Sequence, residues 1–234
     1  MTLGRLILFP VELSDDTLRS VVPATNIELI RSVKHFIVEN VRSARRFLKR
    51  CDRDIDIDEL TFTELNRHTL PEELAPMLAP IEQGHDIGII SEAGCPAIAD
   101  PGADVVAIAQ QRGYVVVPLV GPSSILLSLM ASGFNGQSFA FLGYLPIKGA
   151  ERERALRDMQ ASIRRGQTQI FIETPYRNNQ LIADLIARLP RALRLCIASD
   201  ITGARQSIIT KTLDDWSRAA YDYDRRPTIF LLYR

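Results

Sequence analysis

Two loops carry most of the chemistry legible in this chain, one acidic and one bearing serines. The first is Ser91-Glu92-Ala93-Gly94-Cys95-Pro96-Ala97-Ile98-Ala99-Asp100-Pro101-Gly102, which follows an apolar run ending at Ile90. In open α/β sheets, ligands bind beyond the carboxyl ends of the strands. That position here holds an acid, Glu92, a glycine that admits close backbone approach, Gly94, and a second acid, Asp100, ahead of a Pro-Gly turn. The segment also reads as a long turn capped by Asp100. The second loop, Val117-Pro118-Leu119-Val120-Gly121-Pro122-Ser123-Ser124, again leads from a strand to a helix. Its helix N-terminal N–H groups and two hydroxyls suit a carboxylate or another anion, and they suit plain capping by a serine equally well.

Charge is unevenly placed on a neutral chain, in which 28 Lys and Arg balance 28 Asp and Glu. Between residues 42 and 53 stand Arg42, Arg45, Arg46, Lys49, Arg50 and Arg53 against a single acid, Asp52. That run reads either as a solvated helix face or as a surface that tracks RNA phosphates. A second basic cluster, Lys148, Arg152, Arg154, Arg157, Arg164 and Arg165, is partly offset by Glu151, Glu153 and Asp158. Several familiar signatures are missing. There is no Gly-x-Gly for a dinucleotide or a glycine-rich methyltransferase loop, no Gly-Lys-Ser/Thr phosphate loop and no Gly-x-Ser-x-Gly elbow. The three cysteines, Cys51, Cys95 and Cys196, are far apart and form no CxxC, so neither a disulfide framework nor structural zinc is expected, and a reducing cytoplasm fits. His35, His68 and His85 lack metal-ligand spacing, and no metal site is expected.

The elements that must position these residues follow an α/β rhythm, in which short β-rich apolar runs alternate with amphipathic segments, as for a mainly parallel sheet. Strands are expected at 6–9, 35–39, 61–64, 86–91, 114–118, 138–142, 169–173, 194–199, 206–210 and 228–233. Thr25-Asn26-Ile27-Glu28 reads as a capping box, and Pro71-Glu72-Glu73 as the first turn of a helix that ends near Gly84. Further helices are expected over 103–112 and, after Pro175, over 176–189. Residues 113–147 carry no charge, but Pro118, Pro122 and the Gly133-Phe134-Asn135-Gly136 cluster break them into a strand, a loop and a helix rather than a membrane span. The leading segment is too short in apolar residues for a secretory signal. The Gly/Asn/Ser cluster at 133–137 marks the expected boundary between domains 1–134 and 135–234.

Taken in order, the acidic loop, the serine loop, Ala131-Ser132-Gly133, Phe139-Ala140-Phe141-Leu142-Gly143-Tyr144-Leu145-Pro146 and Phe171-Ile172-Glu173-Thr174-Pro175-Tyr176-Arg177 form a combination. It resembles the tetrapyrrole-methylase-like class of S-adenosylmethionine-dependent methyltransferases, and within it the group that methylates small-subunit ribosomal RNA. The likeness runs from about Leu6 to Ser199. Departures are visible. Phe9-Pro10-Val11-Glu12-Leu13 keeps only the proline of the family's Thr-Pro-Ile-Gly-Asn, Glu39-Asn40-Val41-Arg42 stands for Glu-Asp-Thr-Arg, Glu92 stands for an aspartate, and Thr63-Glu64-Leu65-Asn66 replaces His-Glu-His-Asn.

The resemblance implies two α/β domains with a ligand cleft between them, a homodimer, and S-adenosylmethionine as cofactor. It places Pro10, Glu92, Ala93, Gly94, Ser123, Ser124, Tyr176, Pro227 and Thr228 about that cofactor. A ribose 2′-hydroxyl of ribosomal RNA is the implied acceptor, and such a weak nucleophile needs a group to take its proton. Glu39 and Glu64 are the candidates, with Asn40 and Asn66 as orienting groups and Arg42, Arg45 and Arg46 gripping RNA phosphates. A small acceptor such as a tetrapyrrole, or an inactive relative that only binds RNA or protein, remain the competing readings. The implied partner is ribosomal RNA or the small ribosomal subunit, in the cytoplasm and away from membranes.

Overall fold

A computed structural model describes residues 2–15 and 17–234, so that Met1 and Asp16 lie outside the described residues. The chain forms two compact units, Met1–Ser123 and Ser124–Arg234.

The first unit is built on five strands, β1 (Arg5–Phe9), β2 (His35–Val38), β3 (Thr61–Glu64), β4 (Ile87–Ile90) and β5 (Val115–Pro118). They lie in the order β3-β2-β4-β1-β5, and every pairing is parallel. Parallel sheets need both faces covered, so their central strands read as unbroken apolar runs rather than alternating ones. β4 obeys this, with all four residues of Ile-Gly-Ile-Ile buried. A Cβ on Gly88 would fall 2.8 Å from the Phe36 ring, so only glycine lets Phe36 lie across the sheet. One face packs Ile7, Phe9, Phe36 and Val38 against α1 (Leu18–Val21), α2 (Ala24–Ile30) and α3 (Val41–Cys51), where Phe47 and Leu48 meet it. The other packs Leu6, Ile37, Ile87 and Ile89 against Leu78 and Ile81 and against α6 (Ala103–Gln111). Each such fully buried side chain contributes roughly 1.5–3 kcal/mol through removal from water.

The helix expected from Pro71 to Gly84 is broken. α4 (Pro71–Leu74) gives way to a 3₁₀ turn over Ala75–Leu78 and then to α5 (Ala79–Glu82). Pro76 and Pro80 cannot donate the backbone N–H that a continuous helix requires. The expected capping box at Thr25 is also not formed. α2 is preceded by Pro23 without a side-chain cap, and Asn26 is buried and donates to the Val120 carbonyl at 2.8 Å instead.

The second unit carries α7 (Ser124–Ser132), β6 (Phe139–Tyr144), α8 (Gly149–Arg164), β7 (Thr168–Ile172), α9 (Asn178–Arg188), β8 (Arg194–Ser199), β9 (Ser207–Thr212), α10 (Leu213–Arg218) and β10 (Thr228–Tyr233). Its sheet runs β6-β7-β10-β8-β9. Only β6 and β7 are parallel, and β7–β10, β10–β8 and β8–β9 are antiparallel, which corrects the expectation of a mainly parallel sheet for this half. Phe171, Leu195, Ile197, Phe230 and Leu232 form its core with Leu156 and Met159 of α8, Leu181 and Leu185 of α9, and Trp216 of α10. The 133–137 cluster lies inside this unit. Asn135 donates to the Gly166 carbonyl at 2.7 Å and its own carbonyl accepts from the Thr168 hydroxyl at 2.9 Å. These bonds tie the loop, and α7 ahead of it, to the second sheet.

Candidate functional site

At the carboxyl ends of β1, β4 and β5, three loops are laced together. The backbone of Val11 exchanges two hydrogen bonds with Gly94, both of 2.9 Å, so the loop after β1 is strapped to the acidic loop after β4. Gly94 takes φ +74, a conformation glycine adopts without steric cost. Pro10 lies against the loop after β5, where a Cβ on Gly121 would fall 2.2 Å from the Pro10 Cβ. Cys95 reaches the Pro122 carbonyl at 3.4 Å. The acidic and serine loops picked out in the sequence are thus neighbours, both held by Pro10 and Val11. Between them and α3, Glu12 is 5% exposed and paired with Arg50 at 2.5 Å.

The carboxylates of this edge form a cluster. Ser43, in the first turn of α3, donates to Glu92. Burial pushes Glu39 up from its ordinary value, and the charge of Glu92 adds to the effect. Asp100 is pushed up to about 6 by burial first, then by the charges of Glu39 and Glu92. Three acids this close resist ionising together, so Asp100 gives up its proton well above the ordinary carboxylate range. Asp100 is presented by a strained segment, with Ala97 at φ +65 and Ala99 at φ +63 in the left-handed region. The sequence offers Asp100 either as the second acid at the ligand-binding edge or as a turn cap, and does not place it among the proton-handling groups. Its signal in the sequence is its place as the second acid of the loop after a fully buried strand.

The four residues expected to handle the hydroxyl proton separate into two places. Glu39 belongs to the acidic cluster. Glu64, at the end of β3, lines an open depression of about 540 Å³ with Asn40, Val41, Arg42, Arg45 and Arg46. The side-chain oxygens of Asn40 and Asn66 are committed to backbone. Asn40 caps α3 by accepting from the N–H groups of Arg42 at 2.9 Å and Ser43 at 3.2 Å. Asn66 accepts from the His68 N–H at 2.9 Å.

Among the described residues, Arg42, Arg45 and Arg46 form no ion pair with any carboxylate. Arg45 lies over the Phe62 ring, 5.4 Å from its centroid. The second basic cluster behaves differently. Arg152 is 4% exposed and bonds Asp184 at 2.6 Å, and Arg154 pairs with Asp158, so two of its six bases are engaged by acids of the fold.

Of the residues expected about the cofactor, Ser124 opens α7, and Tyr176, Pro227 and Thr228 gather at one end of the second sheet. There the Arg225 N–H donates to the Pro175 carbonyl at 2.8 Å, and Thr228 shares a 3.0 Å hydrogen bond with Ser199. Tyr176 is 76% exposed and Thr228 is buried. Among the described residues, no group of three or more His, Cys, Asp or Glu is placed to hold a metal ion, and no helix is long and apolar enough to cross a membrane.

The family model for Tetrapyrrole (Corrin/Porphyrin) Methylases matches residues 24–216. Ribosomal RNA small subunit methyltransferase I of Halalkalibacterium halodurans is 28% identical over 197 residues, covering 83% of this chain and 65% of that protein. The protein of the same name from Escherichia coli O157:H7 is 29% identical over 208 residues, covering 88% of this chain and 68% of its own. The chain spans about two thirds of the length of these curated relatives. Among solved structures, diphthine synthase superposes with a TM-score of 0.70 at 12% identity over 98% of this chain and 90% of its own. The methyltransferase CobJ does so with a TM-score of 0.66 at 14% identity, over 99% of this chain and 94% of its own. At such identities these two structures speak for the fold alone.

Proposed function

This chain belongs to the tetrapyrrole (corrin/porphyrin) methylase family, and from that premise we propose that it is an S-adenosylmethionine-dependent methyltransferase acting on a ribose 2′-hydroxyl of small-subunit ribosomal RNA. One observation carries the reading. A single turn of α3 serves both halves of the chemistry, with Ser43 turned to Glu92 of the acidic cluster and Arg42, Arg45 and Arg46 lining the adjoining groove. Unpaired guanidiniums suit RNA phosphates, and they set the acids beside the sugar those phosphates hold. A small tetrapyrrole acceptor gives no use to that groove.

The residues present fit the cofactor. Glu92 and its acidic neighbours match a sulfonium cation and a ribose diol, and the small residues Ala93 and Gly94 leave the loop backbone open to close approach. Pro10, Ser123, Ser124, Tyr176, Pro227 and Thr228 complete the proposed set. When bound, S-adenosylmethionine supplies an electrophilic methyl group. The chain's own part is to hold the hydroxyl in line with that methyl and to accept its proton, and we assign the acceptor to the Glu39–Asp100 pair. Action in the cytoplasm on the small subunit and assembly as a homodimer belong to the same proposal. The exposed apolar side chains of Met130, Tyr144 and Ile147 are surface that a second copy would cover.

Calorimetry with S-adenosylmethionine tests the cofactor, with binding expected for the wild type and an affinity at least tenfold weaker for Glu92→Ala. Labelled cofactor and small ribosomal subunits lacking the modification test the acceptor. Label mapped to an RNA ribose is the expected result. Cofactor binding without label on RNA would sink the RNA reading, and absence of cofactor binding would leave only an inactive binding protein.

A further inference from the structure

The groove at the end of β3 holds more than phosphate-binding charge. Phe36 and Phe62 stack at 5.9 Å between ring centroids, and the Arg45 guanidinium lies over Phe62 at 5.4 Å. The planar cation is thereby held against an aromatic support at the groove that it lines. Phe62 and Glu64 alternate to the same face of β3, so the carboxylate stands one strand repeat from the platform. Among the described residues Glu64 forms no ion pair, although it lines the groove beside three arginines. A carboxylate left unpaired among guanidiniums is available to a ligand that brings hydrogen-bond donors of its own.

Bases of single-stranded RNA stack on guanidinium planes and are read along their Watson–Crick edges. Two carboxylate oxygens accept best from two adjacent donors. Guanine alone offers them, as its N1–H and N2 amine, whereas adenine and cytosine set a ring-nitrogen acceptor beside their amine and uracil flanks its single N–H with carbonyls. We propose that this groove is a guanine pocket for a nucleotide flanking the methylation target, with Arg45 as the stacking platform, Glu64 as the reader of the base edge, and Arg42 and Arg46 on its phosphates. The assignment rests on the RNA reading above and deepens it. It gives Glu64 a part in specificity rather than in proton transfer.

The test is fluorescence anisotropy with labelled oligouridine carrying one central guanosine, inosine or adenosine. Inosine keeps N1–H and lacks the N2 amine. The wild type is expected to bind the guanosine strand about tenfold more tightly than the other two, the size expected for a bidentate base contact. Glu64→Gln is exposed and leaves folding intact, and it is expected to bring the three strands within about twofold of one another while retaining affinity. Arg45→Lys keeps the charge, loses the planar platform, and is expected to weaken guanosine and inosine strands alike. Salt-dependent RNA binding without guanosine preference, or a preference that survives Glu64→Gln, overturns the pocket and leaves the RNA reading standing. No binding of any strand at low salt overturns both.

Discussion

Asp100 sits in the loop as one carboxyl group too many beside Glu39 and Glu92. With its midpoint raised from 3.8 to about 6, the folded chain keeps a proton between about pH 4 and pH 6 that the unfolded chain gives up. Stability then falls as pH rises through that window, because the native state binds more protons there than the unfolded one. Asp100→Asn is expected to flatten the slope of melting temperature against pH between 4 and 6, and to leave the protein no less stable than wild type at pH 7.5. Thermal unfolding across that range measures it, and a variant that keeps the full wild-type slope would remove Asp100 from the cluster. The same substitution is expected to abolish methyl transfer while sparing cofactor binding. Single residues were the least legible level of the sequence. Glu39 and Asp100 are far apart in the chain, and nothing local to Asp100 marks its neighbours. Asn40 and Asn66 look catalytic beside their acids, yet each oxygen is occupied by the backbone of its own turn. Short polar side chains compete for nearby N–H groups before any substrate arrives.

Elements were far more legible, for a reason visible in α3. Ala44, Phe47, Leu48 and Cys51 recur at helical spacing and are buried, while Arg42, Arg45, Arg46 and Lys49 fall on the exposed face. Where the family carries an acid before this helix, Asn40 does the capping instead. Asn40→Ala is expected to cost about 1 kcal/mol of stability, and Asn40→Asp to change it by less than about 0.5 kcal/mol, since both side chains cap well. Urea unfolding distinguishes them, and equal losses for the two would show that the cap contributes little. All ten expected strands form, within two residues at each end. Strand direction in the second sheet was not legible, because apolar runs such as Leu195–Ala198 and Ile229–Leu232 look alike whether their neighbours run parallel or antiparallel. The broken segment from Pro71 to Glu82 shows the opposite limit, where Pro71-Glu72-Glu73 makes a good first turn but Pro76 and Pro80 interrupt the helix that it opens.

For the molecule as a whole, zero net charge means that no long-range attraction toward RNA comes from the total, so any affinity must come from a local patch. The sequence offers two basic runs and favours the first, which faces a single acid where the second is partly offset. In the structure Arg152 is locked to Asp184 and Arg154 sits by Asp158, whereas, among the described residues, Arg42 and Arg46 line the groove without a carboxylate partner. The expected consequence is a difference in salt dependence. Each phosphate contact on single-stranded RNA contributes about 0.7 to the slope of log affinity against log salt, so Arg42→Ala with Arg46→Ala should lower that slope by about 1.4. Arg154→Ala with Arg157→Ala should leave it unchanged. Cofactor affinity should move in neither pair, because neither touches the residues assigned to it. Anisotropy from low to moderate salt gives the slopes directly. If the α8 pair lowered the slope while the α3 pair did not, RNA would have to be moved to the second unit, and Glu64 would lose its substrate.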